Sequence, residues 1–318
     1  MPVDPHIRRI LDMLAAAGAA DAARLTLGER RDAFRKLMSL SESSVAVGHV
    51  EDRALPGPDG PIRVRIYTPI DTRFDRLPGL VYFHGGGLVA GSLDTHEGIC
   101  RPLANETGCR LVSVDYRLAP EHKFPAAIMD GYVATLWAVE HAAELSIDPE
   151  RIAVGGDSAG GTLAAIVCQL ARQARGVRLA AQLLLCPITD FAADTESRCA
   201  FAEGYLLHKA TLDRDLEHYV PAGLNPADPC VSPLRAPDFH GLPPAYIHTA
   251  EFDPVRDEGR AYADRLAQAG VEVSYTCHPG MTHLFYGMTS VVPYARSAMK
   301  RIGGEIRAAF YGALRHAG

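Results

Sequence analysis

The chain has 318 residues, of which 47% are hydrophobic and 22% charged, and its formal net charge is −6. This composition fits a globular chain long enough for one large core, and the absence of a basic block argues against nucleic acid as a partner. No run of 18 uninterrupted apolar residues occurs, which argues against a membrane span.

The first residues, Met1-Pro2-Val3-Asp4-Pro5-His6, do not form a basic region followed by an apolar one. The expectation is therefore a cytoplasmic protein without a signal peptide. Seven cysteines, an odd number, are widely spaced and form no Cys-x-x-Cys pair. Reduced structural thiols fit this pattern better than disulfides or zinc ligands, so no metal is expected.

In chain order, Ile7, Ile10, Leu11 and Leu14 recur at helical spacing. Thr26 and Glu29 have the spacing of a capping box, and Phe34, Leu37 and Met38 follow at helical spacing. Two amphipathic helices are expected over the first forty or so residues. The run 62–67 alternates as a half-buried strand, and 80–83 and 111–114 read as buried strands. A helix is expected over about 124–145. A strand at 151–154, a helix at 163–171 and strands at 182–186 and 245–249 come next. A helix over about 257–268 ends near Gly270, a strand covers 271–275, and a last helix starts near 291. Strands alternating with helices imply a mostly parallel sheet covered on both faces. Between 190 and 233 the alternation breaks into a polar stretch with four prolines and a helix-like piece at 212–219. The expected organisation is N-terminal helices at 1–45, a core formed by 46–189 and 234–318, and an inserted cap at 190–233.

Gly156-Asp157-Ser158-Ala159-Gly160-Gly161 lies between an apolar strand and a helix. Gly-x-Ser-x-Gly in that setting places the serine on a sharp strand-to-helix turn, where small neighbours permit close approach and the helix N-terminus favours negative charge. A serine hydroxyl needs a base, a group that orients the base, and donors for the oxyanion. His84-Gly85-Gly86-Gly87 follows a strand, and three successive glycines can turn backbone N–H groups into a pocket. Gly86, Gly87 and Ala159 are the candidate oxyanion donors; Gly85 shares the role or shapes the loop, and His84 shapes the loop.

If the chain order is serine, acid, histidine, the base is one of seven of the thirteen histidines. His283 follows a strand in a loop, where ligand sites collect in such sheets, whereas His278 reads as a strand end and His316 as a solvated tail residue. For the acid, Asp253 is the first candidate and Glu251 the second. Asp257 and Glu258 open a helix, where a carboxylate is stabilised without any catalytic role.

Taken together, His84–Gly87, Asp115–Pro120 with Glu121, Gly156–Gly161, the run 253–259 and Gly280-Met281 before His283 resemble the hormone-sensitive-lipase-like esterases of bacterial family IV. That family has the α/β-hydrolase fold. The resemblance implies a Ser158–His283–Asp253 triad, an oxyanion hole from the glycine loop and Ala159, and a cap built partly from the N-terminus. It further implies hydrolysis of short- to medium-chain carboxylic esters, a small-molecule ester substrate, no cofactor and often a homodimer. Thr162 stands where the family usually carries Asn, and Leu284 where it usually carries Gly. Two other readings stay open: a non-catalytic small-molecule receptor on the same fold, and an amide hydrolase or acyltransferase using the same residues.

Overall fold

Runs rich in Val, Ile and Leu become the strands of one eight-stranded sheet in the computed structural model, which describes residues 2–16, 24–41, 44–71, 74–174 and 177–312. The strands are β1 (His49–Gly57), β2 (Gly60–Thr68), β3 (Leu77–Phe83), β4 (Arg110–Asp115), β5 (Ile147–Asp157), β6 (Gln182–Leu185), β7 (Ala245–Phe252) and β8 (Val273–Thr282). Their order across the sheet is β1-β2-β4-β3-β5-β6-β7-β8. β1 with β2 and β2 with β4 are antiparallel; the other pairs are parallel. This is the mostly parallel sheet that the alternation predicts.

The helices are α1 (Pro5–Ala16), α2 (Leu27–Met38), α3 (Glu97–Thr107), α4 (Ala126–Glu140), α5 (Ala159–Gln173), α6 (Glu196–Ala200), α7 (Lys209–Tyr219), α8 (Arg256–Gln268) and α9 (Pro293–Gly312). Successive strand residues face opposite sides, so each central strand feeds two cores. Val81, Phe83, Val112, Val154 and Leu184 belong to one, with Ala134 of α4, Leu163 of α5 and Leu266 of α8. Leu80, Tyr82, Leu111, Ala153 and Leu183 belong to the other, with Leu103 of α3 and Ile302 of α9. The capping box at the start of α2 forms: Thr26 N–H donates to Glu29 Oε2 at 2.8 Å, and Thr26 Oγ1 accepts from Glu29 N–H at 3.4 Å.

Two elements were not read from the sequence, and one expectation changes. β1 went unread because, at the sheet edge, it fully buries only Leu55 and carries no clear apolar alternation. α3 contains Gly98 and Pro102, poor helix formers, but buries Ile99, Cys100, Leu103 and Ala104 on one face, and that packing prevails. β8 runs on to Thr282 instead of ending near 275, so the stretch 279–282 is strand and not loop. Of the inserted stretch, α7 matches the expected helix and begins three residues earlier. Among the described residues, no helix is long and apolar enough to cross a membrane.

Candidate active site

Strand register brings the candidate residues together. Phe83 pairs with Gly156, Asp157 with Leu185, and Phe252 with Thr282. The segments that leave β3, β5, β7 and β8 therefore emerge side by side at the carboxyl end of the sheet, the edge where ligand sites form. The glycine loop follows β3, Ser158 follows β5, Asp253 follows β7 and His283 follows β8.

Ser158 sits at φ 54° and ψ −121°, a conformation costly for a side-chain-bearing residue. The turn is pinned: Ser158 N–H donates to Leu185 O at 2.8 Å, and Ser158 O accepts from Ile188 N–H at 3.3 Å. A Cβ on Gly160 would meet Phe83 O at 2.0 Å, and one on Gly156 would meet Gly160 O at 2.3 Å, so β3, β5 and α5 approach only because both are glycine. Ala159 begins α5, so its N–H is one of the donors that a helix leaves free at its first turn.

His283 lies 2.9 Å from Ser158 Oγ through Nε2 and 2.8 Å from Asp253 Oδ2 through Nδ1. All three residues are buried. Asp253 Oδ1 accepts Val255 N–H at 3.0 Å, so one carboxylate oxygen holds the loop and the other orients the imidazole. The alternatives are engaged elsewhere. Glu251, still within β7, accepts Gly280 N–H at 2.7 Å and ties β7 to β8. Asp257 accepts Ser197 N–H, and Glu258 pairs with Arg198 at 2.7 Å. His278 contacts His248 at 3.1 Å and the Tyr294 hydroxyl at 3.0 Å, where β7, β8 and α9 meet. His316 lies outside the described residues.

The glycine loop is held by a buried network that sequence reasoning missed. Asp157 accepts the Tyr82 hydroxyl at 2.8 Å and Gly85 N–H at 3.1 Å, and His96 Nε2 lies 3.3 Å from its other oxygen. Burial opposes ionisation of Asp157, but His96 and Tyr82 together hold its carboxyl below the usual range. Gly85 N–H is thereby occupied, and a Cβ there would meet Asp157 Oδ2 at 2.3 Å. Gly86 and Gly87 have positive φ of 119° and 69° and face the cavity. His84 stacks on Tyr116 with ring centroids 4.2 Å apart, its carbonyl accepts the Tyr116 hydroxyl, and burial pushes its pKa down to about 3. That neutral ring shapes the loop. Asp157 could have been suspected from its place in the serine motif; Tyr82 and His96 carried no sequence signal.

Above Ser158 lies a cavity of about 160 Å³. Leu14 of α1 and Ala33, Phe34 and Leu37 of α2 form one wall, and Leu206, Leu207 and Leu212 another. Leu284, at φ 62°, lines it beside His283. Thr162 lies deeper, and its hydroxyl donates to Ile188 O. Cys186, Asp253 and His283 present donor atoms within 4.8 Å of one another, the one such grouping among the described residues. Their geometry suits hydrogen bonding better than a metal: Asp253 already accepts from His283, and burial and the Asp253 charge push the Cys186 thiol well above its ordinary pKa.

Residues 80–287 match the family described as having the alpha/beta hydrolase fold. Carboxylic ester hydrolase LipN of Mycobacterium tuberculosis is 46% identical over 245 residues, 75% of this chain and 65% of that longer protein. Carboxylesterase NlhH of the same organism is 42% identical over 309 residues, 94% of this chain and 93% of the relative. The structure of a hyperthermophilic esterase from the archaeon Pyrobaculum calidifontis superposes with a TM-score of 0.92 at 38% identity, covering 97% of this chain and 99% of that one. Sheet order, the serine turn and these likenesses agree: the chain belongs to the α/β-hydrolase fold, in its hormone-sensitive-lipase-like family.

Proposed function

We propose that the protein is a serine carboxylesterase acting on short- to medium-chain acyl esters. The observation that carries this reading is the hydrogen-bonded chain from Ser158 Oγ through His283 to Asp253, opening on an apolar cavity. Relatives at 42–46% identity are named ester hydrolases, which supports the same bond as the target.

Ser158 Oγ attacks the ester carbonyl while His283 Nε2 takes its proton. Asp253 keeps Nδ1 protonated and stabilises the imidazolium. Charge grows on the carbonyl oxygen, which Gly86, Gly87 and Ala159 N–H groups receive; Gly85, whose N–H is spent on Asp157, shapes the loop. His283 then protonates the departing alcohol, and water repeats the sequence on the acyl-enzyme. The cavity volume of about 160 Å³ supports small acyl groups over long chains. We assign segments 1–45 and 190–233 to a cap over a core of 46–189 and 234–318, because α1, α2 and α7 supply cavity walls. Family resemblance supports a homodimer, which sedimentation equilibrium would test. The described cysteines are all unpaired, which supports a reducing, cytoplasmic setting.

The test is hydrolysis of p-nitrophenyl esters from acetate to palmitate by wild type and Ser158→Ala. The expected result is turnover that is highest on the short esters and falls by at least about a thousandfold in the variant. Folded wild type that hydrolyses none of the series would overturn the reading.

A further inference from the structure

One charged pair lines an otherwise mostly apolar cavity. Arg30 of α2 donates from Nη2 to Asp215 Oδ2 of α7 at 2.9 Å, and both side chains are largely buried. The pair joins two segments that are 185 residues apart in the chain. It also touches the glycine loop. A Cβ on Gly87 would meet Asp215 Oδ2 at 2.0 Å, so the carboxylate rests directly on the backbone of Gly87. Bringing α7 down onto the loop has thus placed an anion beside one of the N–H groups that would receive the oxyanion.

Such an anion opposes the reaction. Like charges a few ångströms apart in a buried site interact far more strongly than in water. The oxyanion exists in the transition state and not in the bound ester, so the penalty falls on kcat more than on KM. Arg30 meets the carboxylate in a direct ion pair. Arg214 and His218, on Asp215's own helix, contribute less, and burial still raises the Asp215 pKa above its ordinary value.

We propose that Arg30 is an electrostatic guard of the oxyanion hole: it neutralises Asp215 so that no net negative charge faces the oxyanion as it forms. Arg30 is a positioning residue in this scheme and does not touch the reacting atoms. The inference rests on the esterase reading above and deepens it.

The test uses the full chain and p-nitrophenyl butyrate with four enzymes: wild type, Arg30→Gln, Asp215→Asn and the double variant. Thermal melts accompany the kinetics. Arg30→Gln should lower kcat about tenfold or more, with a smaller change in KM. The double variant should regain most of that loss, because removing both charges leaves the oxyanion facing as little net charge as the intact pair does. Arg30→Lys, which keeps the cation, should fall between Arg30→Gln and wild type. If Arg30→Gln does not fold, Asp215→Asn and the double variant decide: the guard requires Asp215→Asn, with its unopposed cation, to be at least as fast as wild type, and the double variant to be close to wild type. The proposal is overturned if the double variant stays as slow as Arg30→Gln, because the carboxylate would then not be what slows that variant. Wild-type turnover that Ser158→Ala abolishes secures the esterase reading separately, so failure of the guard leaves that reading standing.

Discussion

Three non-glycine residues with positive φ stand just beyond strand ends near the site: Ser158 at 54°, Cys186 at 43° and Leu284 at 62°. Backbone strain of this kind persists where surrounding packing over-determines it, and here Ser158 and Leu284 both line the cavity. Leu284 makes the balance testable. The family usually carries Gly at this position, and its left-handed backbone gives the reason: glycine adopts that conformation freely. Leucine accepts a strain of about 1–2 kcal/mol there and in return fills the cavity beside His283. Leu284→Gly should raise kcat/KM on octanoate relative to acetate by severalfold. It should also destabilise the fold by about 1–3 kcal/mol in urea, since the lost burial outweighs the relieved strain. An unchanged chain-length profile would remove Leu284 from the acyl-binding wall.

Between elements, the contact of β7 and β8 with α9 holds a second histidine arrangement. His248 Nδ1 and His278 Nε2 are 3.1 Å apart, and His278 Nδ1 meets the Tyr294 hydroxyl of α9. One ring donates to the other, so protonating both would set N–H against N–H. Burial pushes His248 down to about 3 and His278 down to about 4, from 6.5. Below pH 6.5 the unfolded chain binds protons that the folded chain refuses, so stability is full above that pH and is lost as pH falls toward 4. Between pH 7.5 and 5 the pair should cost up to about 2 kcal/mol per histidine. Urea midpoints at the two pH values measure this, and His248→Gln should flatten the difference. A midpoint that does not move with pH would show that the pair can be charged inside the fold.

At the scale of the molecule, the stretch 190–233 is fastened to α8 by a second buried pair. Arg198 of α6 meets Glu258 of α8 at 2.7 Å, with 4% and 0% side-chain exposure, and Glu258 also accepts Thr189 N–H. Burial raises the Glu258 pKa to about 8 even though Arg198 pulls it down. Removing the arginine leaves the carboxyl buried and uncompensated. Arg198→Met should therefore destabilise the chain by about 1–3 kcal/mol, read from urea unfolding, with Arg198→Lys recovering part of it. A loss under about 1 kcal/mol would mean that water reaches Glu258. Together with Arg30–Asp215, this pair gives the stretch 190–233 two buried anchors, one to α8 and one to α2.

The sequence by itself determined the strand–helix alternation, and hence the layered parallel fold. It also determined the serine turn, because Gly156 and Gly160 are demanded by contacts that β3, β5 and α5 make next to Ser158. Both are local: hydrophobic period and glycine spacing are written in consecutive residues. His283 and Asp253 were legible only as loop residues after strands and through family resemblance. It is the register of Phe252 on Thr282 that sets them side by side, and register is a property of paired strands. β1 and α3 were hidden because an exposed edge strand needs no apolar alternation, and because α3 draws its stability from burial against propensity. Tertiary structure alone decided that Gly85 spends its N–H on Asp157, and that Asp215 rests on Gly87 with Arg30 against it. Those contacts join residues far apart in the chain, and no local pattern encodes which buried charge will find which partner.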